Sequence, residues 1–378
     1  MTRRPARRLL PGALPPRAAQ GRAAQGRAPQ GRAPQGRAVA VAVAVLAAGA
    51  LLAGCTSGTT PEPPTTTDPT PTPTALRADD IRRAPVDRVF PGGLAVQTDS
   101  VASRASSQLV RSGDTAAAAA ADDIAERPVA LWLGDGWTEA ELRAEIAEYL
   151  ADAREQGGTA VFVTYAIPER DCGHHSRGGL PADRYAAWSA VVADALAGEP
   201  AVVVVEPDSL AMLDTCPEQA DVRLPLLREA VEGFAAAGVP AYLDGGNSNW
   251  VQAPVMAERL REAGIEHARG FSTNVSGFHP TDSERDYAGR LSALTGGAHY
   301  VVDVSRNGRG WQGTWCNPDG VALGQDPRVA DGDEDLDALL WVKTPGLSDG
   351  DCNDGPGAGR WFASYAEDLV ERRDSDRG

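Results

Sequence analysis

Five residues constrain the fold of this chain more than any other stretch. Residues 201–205 are continuously apolar, four of them Val, and Glu206-Pro207-Asp208 follows at once. A run so short and so β-branched reads as a strand buried on both faces, as strands of parallel sheets are. The unit recurs. Similar runs at 159–165, 240–243, 270–273, 300–304 and 338–343 alternate with helical stretches near 182–197, 221–237, 253–263, 283–294 and 358–372. Ahead of them Thr138-Glu139-Ala140-Glu141 has the form of a capping box, and Leu142, Ile146, Tyr149 and Leu150 make one apolar stripe behind it. Alternation of this kind means α/β architecture, with parallel strands joined by crossover helices. About seven strands in one run favour a closed barrel over a doubly wound sheet. No Gly-rich dinucleotide fingerprint follows any strand, and no cofactor is expected.

Polar chemistry collects where the strands end. Tyr165 and Asp171 follow the first of these strands, Glu206 and Asp208 the next, then Asp244, Asn274, Asp303 and Asp349. The C-terminal mouth of an α/β barrel is where active sites are built. One acid after a strand is ordinary capping, but acidic clusters around a whole rim point to a site. Net charge is −16, and the nine Arg of residues 1–54 are offset by no acid there. The remainder holds 27 basic against 52 acidic residues, which argues against nucleic acid as a partner. Lys343 is the only Lys in a chain with 35 Arg.

The N-terminal segment reads as an address. Residues 38–53 are apolar or small, too short to span a membrane but suited to a signal h-region. The stretch ends Leu52-Ala53-Gly54-Cys55, which resembles a bacterial lipobox with Cys55 as the lipidated residue. Domain boundaries follow: a signal with an Arg-rich start at 1–54, an anchor Cys and Thr/Pro-rich linker at 55–85, a globular domain at 86–373, and a tail at 374–378. The expected location is the outer face of the cell membrane, through lipid on Cys55, or the secreted fraction. Export implies an oxidising compartment, so Cys172, Cys216, Cys316 and Cys352 are expected to pair. Four Cys allow three connectivities, the nearest-neighbour one being Cys172–Cys216 with Cys316–Cys352. A zinc site is the alternative, but C-x-x-C spacing is absent. His174-His175 likewise gives no metal site, since adjacent side chains of extended chain point opposite ways.

Seven motifs in order carry a family resemblance. Val163-Thr164-Tyr165-Ala166-Ile167-Pro168-Glu169-Arg170-Asp171-Cys172-Gly173 and Val202-Val203-Val204-Val205-Glu206-Pro207-Asp208-Ser209-Leu210-Ala211 resemble the two signatures of glycoside hydrolase family 6, the inverting cellulases. Tyr242-Leu243-Asp244-Gly245-Gly246, Ser272-Thr273-Asn274-Val275-Ser276, Val302-Asp303-Val304-Ser305-Arg306-Asn307-Gly308, Trp315-Cys316-Asn317-Pro318 and Leu340-Trp341-Val342-Lys343 complete the set. The resemblance implies a distorted seven-stranded parallel β/α barrel, TIM-like, and inverting hydrolysis of β-1,4-glucan. It also implies the Cys172–Cys216 and Cys316–Cys352 pairing. The segments that roof a tunnel in exo-acting members are short here, so an open cleft and endo cleavage are expected. The partner is then a β-glucan polysaccharide or oligosaccharide, met by a monomer.

The chemistry assigns roles. A glycosidic oxygen leaves only when protonated, so the donor must be a carboxylic acid whose pKa is raised well above the usual value of about 3.9. By resemblance, Asp208 is that general acid, and Asp171 tunes it and relays a proton, a plain ion pair with Arg170 being its alternative. Asp349 matches the carboxylate on the face of the attacking water, as a direct base or through a chain of water, the two carboxyls being roughly 6.5–9.5 Å apart in inverting enzymes. Tyr165 matches the residue that distorts the sugar ring. Trp132, Trp250 and Trp315 match sugar platforms, and Asp244, Asn274 and Lys343 match sugar-binding positions. Four positions depart from the pattern: Asn247 replaces the usual His, Val321 an Arg, Leu347 a Glu, and Arg177 a small residue. The first three normally surround Lys343, so Lys343 is expected to have lost its ion partner and the preferred glucan to differ, mixed-linkage glucan being one alternative. A surface glycan-binding protein without turnover is the other.

Overall fold

The buried runs pair in a single curled sheet. The computed structural model describes residues 76–331 and 335–377, with side chains up to Arg373, so the expected signal, Cys55 and the linker to residue 75 lie outside the described residues. Among the described residues eight strands form: β1 (Leu131–Gly134), β2 (Ala160–Tyr165), β3 (Ala201–Val205), β4 (Ala241–Asp244), β5 (Gly270–Thr273), β6 (His299–Asp303), β7 (Arg328–Val329) and β8 (Leu336–Leu340). Their order is β1-β2-β3-β4-β5-β6-β8-β7. Seven are parallel, and β7 is a two-residue antiparallel edge on β8. The barrel is therefore the distorted seven-stranded one, but among the described residues no ladder closes it. The Ala130 N–H donates to the Trp341 carbonyl at 3.0 Å, and the Trp132 indole N–H to the Val342 carbonyl at 2.8 Å.

The helices are α1 (Val86–Val89), α2 (Val101–Ser112), α3 (Thr115–Ala125), α4 (Glu139–Gln156), α5 (Ala182–Leu196), α6 (Ala220–Ala236), α7 (Ala253–Glu262), α8 (Thr281–Leu294) and α9 (Ala363–Arg377). Thr138 and Glu141 close the capping box of α4 as expected. Strand periodicity splits the core into two layers. Val161, Val163, Val202, Val204, Tyr242, Val301 and Leu340 fill the barrel, while Phe162, Val203, Val205, Leu243 and Phe271 face the helices.

The barrel floor is closed by chain that the boundary at 85/86 assigns to the linker. Leu76, Ile81 and Ala84 from that stretch join the interior cluster beside Val89 and Phe90 of the domain, and Phe90 stacks on Tyr242 at 6.4 Å. Arg269, at the foot of β5, donates to the carbonyls of Ile81 and Ala84 at 3.0 and 2.7 Å and pairs through Nε and Nη2 with Asp337 at 2.8 Å each. Arg269 and Asp337 are almost wholly buried, and such a pair tolerates loss of neither partner. Strand β8 begins and ends earlier than its apolar run. The N–H groups of Val342 and Lys343 leave the ladder and donate to the Asp303 carboxylate at 3.3 and 3.0 Å.

Candidate active site

Every non-glycine residue with positive φ among the described residues lies in a loop at the C-terminal mouth of the barrel. They are Glu169, Asp171 and Cys172 after β2, Glu206 and Asp208 after β3, Asn274 and Ser276 after β5, Asn317 after β6, and Asn353 and Asp354 after β8. Left-handed backbone costs a side-chain-bearing residue about 1–3 kcal/mol. Strain concentrated on one rim marks where the fold holds groups against their local preference.

The β3 end is pinned by Glu206. Its buried carboxylate accepts the N–H groups of Ala166 and Ile167 at 3.0 Å and the Tyr185 hydroxyl at 3.0 Å, locking the ends of β2 and β3 together. Two residues on, Asp208 turns into the cleft. Its backbone N–H donates at 2.9 Å to Asp244, which also accepts the Gly246 N–H at 3.2 Å and the Ser272 hydroxyl at 3.1 Å. Burial first, then the charges of Asp244 and Asp171, push the Asp208 carboxyl up to about 8. Burial raises Asp244 as well, but its three donors favour the charged form. Among the described residues no donor reaches the Asp208 carboxyl, so the pair keeps its proton there.

The opposite tuning occurs after β8. Asp349 accepts from Arg306 at 2.8 Å and the Asn317 N–H at 3.0 Å on one oxygen, and pairs with Lys343 at 3.1 Å on the other. Burial alone would raise this carboxyl, yet Arg306 and Lys343 outweigh it and hold it down to about 2. Asn317 clamps the loop in return, accepting the Asp349 N–H at 2.8 Å and donating to the Gly350 and Cys352 carbonyls at 2.9 and 3.0 Å. The Cys316–Cys352 disulfide ties the same two segments, and Cys172–Cys216 ties the Asp171 loop to the chain beyond Asp208.

Tyr165 stands between these poles. Its ring meets the edge of Trp132 at 5.0 Å and carries the Arg170 guanidinium at 4.6 Å. Burial, then Asp208 and Asp171, raise its hydroxyl far above the usual range, so it stays neutral. Arg170 pairs with Asp135 at 2.8 Å rather than with Asp171, whose carboxylate instead accepts the Ser176 N–H at 2.7 Å. The β2 loop reaches the far loops through His175, which lies 3.2 Å from Asp351 and 5.5 Å from the Trp315 ring. Gly179 is required beneath it: at φ 98° a side chain would be strained, and a Cβ would fall 1.9 Å from the Ile167 carbonyl oxygen.

The model for glycosyl hydrolases family 6 matches residues 94–373. The chain belongs to glycosyl hydrolases family 6. It is 41% identical over 249 residues to endoglucanase A of Cellulomonas fimi, covering 66% of this chain and 55% of that protein. It is 39% identical over 290 residues to endoglucanase 1 of Streptomyces halstedii, covering 74% and 88%. Among solved structures it resembles the endoglucanase Cel6 from Mycobacterium tuberculosis in complex with methyl-cellobiosyl-4-deoxy-4-thio-β-D-cellobioside. That likeness has a TM-score of 0.69 and 39% identity, over 74% of this chain and 97% of the other. The chain thus spans little more than half the length of the Cellulomonas fimi relative.

On this family 6 barrel, Asp171, Asp208, Asp244, Asp349, Lys343 and Tyr165 lie on one rim in a common electrostatic neighbourhood. Trp132 is held by its indole N–H, whereas Trp250 and Trp315 are 38% and 51% exposed. Asn274 is buried and donates to the Asp303 carbonyl at 2.9 Å, so it shapes the rim rather than facing the cleft. The expectation that Lys343 lacks an ion partner is corrected: Asp349 has taken that place. Val321 is wholly buried, Asn247 and Leu347 half-buried, and Arg177 exposed. Sequence reasoning left Arg306, Glu206 and Asn317 unassigned. The signals were a basic residue just past β6 and an acid placed directly before Pro at a strand end.

Proposed function

We propose that this protein is an inverting endo-β-1,4-glucanase. The carrying observation is the opposite tuning of two rim carboxyls, Asp208 raised to about 8 and Asp349 lowered to about 2. Near neutral pH the first holds a proton it can donate to a leaving oxygen, and the second carries a negative charge beside the same cleft. The Asp208 proton passes to the glycosidic oxygen as its bond to the anomeric carbon breaks. A water attacks that carbon from the opposite face and gives up a proton, so that one sugar gains OH and the other H. Both oxygens of Asp349 are engaged by cationic or N–H donors, and a carboxylate held so low is a weak proton acceptor. Its negative charge therefore supports the positive charge that develops on the sugar, and the water's proton leaves through solvent toward Asp171.

The relatives' printed name, endoglucanase, supports the endo mode and a glucan substrate. Tyr165 with Trp132 forms the wall against which the reacting ring is distorted, and the exposed Trp250 and Trp315 offer faces for sugar stacking. Asp244 acts by holding the Asp208 backbone, and Lys343 by holding Asp349. Export with lipid on Cys55 would place this monomer at the membrane's outer face, a reading supported by the apolar run before Leu52-Ala53-Gly54-Cys55. Among the described residues no helix is long and apolar enough to cross a membrane.

The test is reducing-sugar release from carboxymethylcellulose and barley glucan, with the product anomer followed by proton NMR. The expected result is α-anomer first, abolished in Asp208→Asn. First appearance of the β-anomer would overturn inversion, and binding without release would overturn the hydrolase.

A further inference from the structure

The loop after β6 carries a third exposed indole that none of the roles above uses. Trp311 is 43% exposed. One face lies parallel to the His279 imidazole, 5.5 Å between centroids and 11° between planes. Phe278 closes one edge at 6.5 Å. The brace is rigid. The His279 N–H donates to the Asn274 side chain at 3.1 Å, and its carbonyl accepts from Asn307 at 3.0 Å and from Asn274 at 3.3 Å. Gln312 folds its amide back onto the Arg309 carbonyl at 3.0 Å, holding the turn that presents the indole.

An indole stacked on an imidazole and still 43% exposed offers a flat apolar surface that the face of a sugar ring can cover. The brace removes most of the rotamer freedom that binding would otherwise have to quench. Position selects the occupant. Trp315 adjoins Cys316 and Asn317, whose N–H holds Asp349, and so stands beside the reacting carboxylate. Trp311 is linked to the same carboxylate only through intermediates: Phe278 touches it and carries the Arg306 guanidinium at 4.4 Å, and Arg306 in turn pairs with Asp349. Both indoles belong to one rim loop.

We infer that Trp311, braced by His279, is a distal sugar-stacking platform for a β-1,4-glucan chain that already occupies the cleft. The inference rests on the proposed glucanase reading and adds a site to it. The platform contributes only when the chain is long enough to reach it, so it sets a preference for longer glucans. Trp132, held by its indole N–H beside Tyr165, contributes at every length.

Calorimetric binding of cello-oligosaccharides from three to six units, in the full chain carrying Asp208→Asn to prevent turnover, tests this. Adding Trp311→Ala is expected to lower the affinity ratio of the longest to the shortest oligosaccharide by about three- to tenfold. Trp311→Phe is expected to restore most of it, and His279→Ala to lose part of it. Val110→Ala, at an exposed site on α2 outside the rim loops, is the control. An unchanged ratio in Trp311→Ala overturns the platform, as does an equal loss at all lengths, which would indicate general loosening of the rim. Either leaves the hydrolase reading standing, because that reading is judged separately by release from barley glucan with Asp208 intact. Absence of that release would overturn the glucanase and, with it, the platform.

Discussion

Replacing Asp208 with Asn is expected to make the protein inactive and more stable. The native state at pH 7 keeps a proton on a carboxyl raised to about 8, whereas the unfolded chain releases it near 3.9. Holding that proton from pH 3.9 to 7 costs about 1.4 kcal/mol per pH unit, a ceiling of about 4 kcal/mol. Asp208 is only half-buried as a residue, at the floor of a cleft, so water screens part of this. A gain of about 2 kcal/mol is expected, or roughly 4 °C in Tm for a domain of this size. The sign follows from proton binding. A raised acid binds more protons folded than unfolded, so its share of stability is present below about pH 4 and is lost as pH rises toward 8. Wild-type Tm should therefore fall across that window more steeply than that of Asp208→Asn. Activity should drop by at least about a hundredfold, because the leaving oxygen has lost its donor. Calorimetric melts from pH 4 to 9, beside hydrolysis rates, supply both readouts. Parallel pH curves, with no added stability at pH 7, would refute a protonated, destabilised Asp208.

Four further outcomes follow from the same geometry. Hydrolysis should fall as pH rises through about 8, when Asp208 loses its proton, and a pH–kcat/KM profile locates that limb. Arg306→Met removes the strongest cation on Asp349, so the acid limb should move up from near 2, and a loss of about 3–5 kcal/mol is expected from denaturant titration. Serine at both Cys316 and Cys352 opens a cross-link with a sequence separation of 36, costing about 4 kcal/mol on the chain-entropy model, read from thermal melts with and without reductant. Glu206→Gln turns an acceptor of two N–H groups into a group that can meet only part of them, and about 1–3 kcal/mol of stability should be lost in the same melts.

What the sequence made legible was what one local period can encode. The run at 201–205 coincides with β3, because a short all-apolar, Val-rich run is what a strand buried on both faces carries, and the stretch at 270–273 coincides with β5. Helix α3 escaped notice because six Ala at 116–121 present no polar contrast from which a face could be read, and α2 because the face it buries is made of small residues, Ala102, Ala105 and Ser106. Strand β1 escaped because four residues ending in Gly carry too little pattern, although Trp132 within it was singled out. The floor of the barrel was hidden for a different reason. Arg82 and Arg83 look like linker, and only the folded arrangement shows Arg269 gathering the carbonyls around them.

The acids of the site could be found from the rim they share, but not their electrostatics. Nothing local in Asp349 says that Arg306, 43 residues earlier, will hold its charge, or that Lys343 will take Asp349 as partner. Those contacts exist because the Asn317 clamp and the Cys316–Cys352 bond fold two separate loops onto each other. Nor does Asp208 announce its raised pKa, which follows from the end of an all-Val strand meeting Asp244 from the neighbouring one. The same dependence explains the strained backbone. Left-handed φ at Glu206 and Asp208 is unfavourable locally, and it persists because hydrogen bonds from two other strands hold it. A sequence therefore names two rim carboxyls, while the difference in proton affinity that suits them to the proposed roles of acid and counter-charge is a property of loops brought together by the barrel.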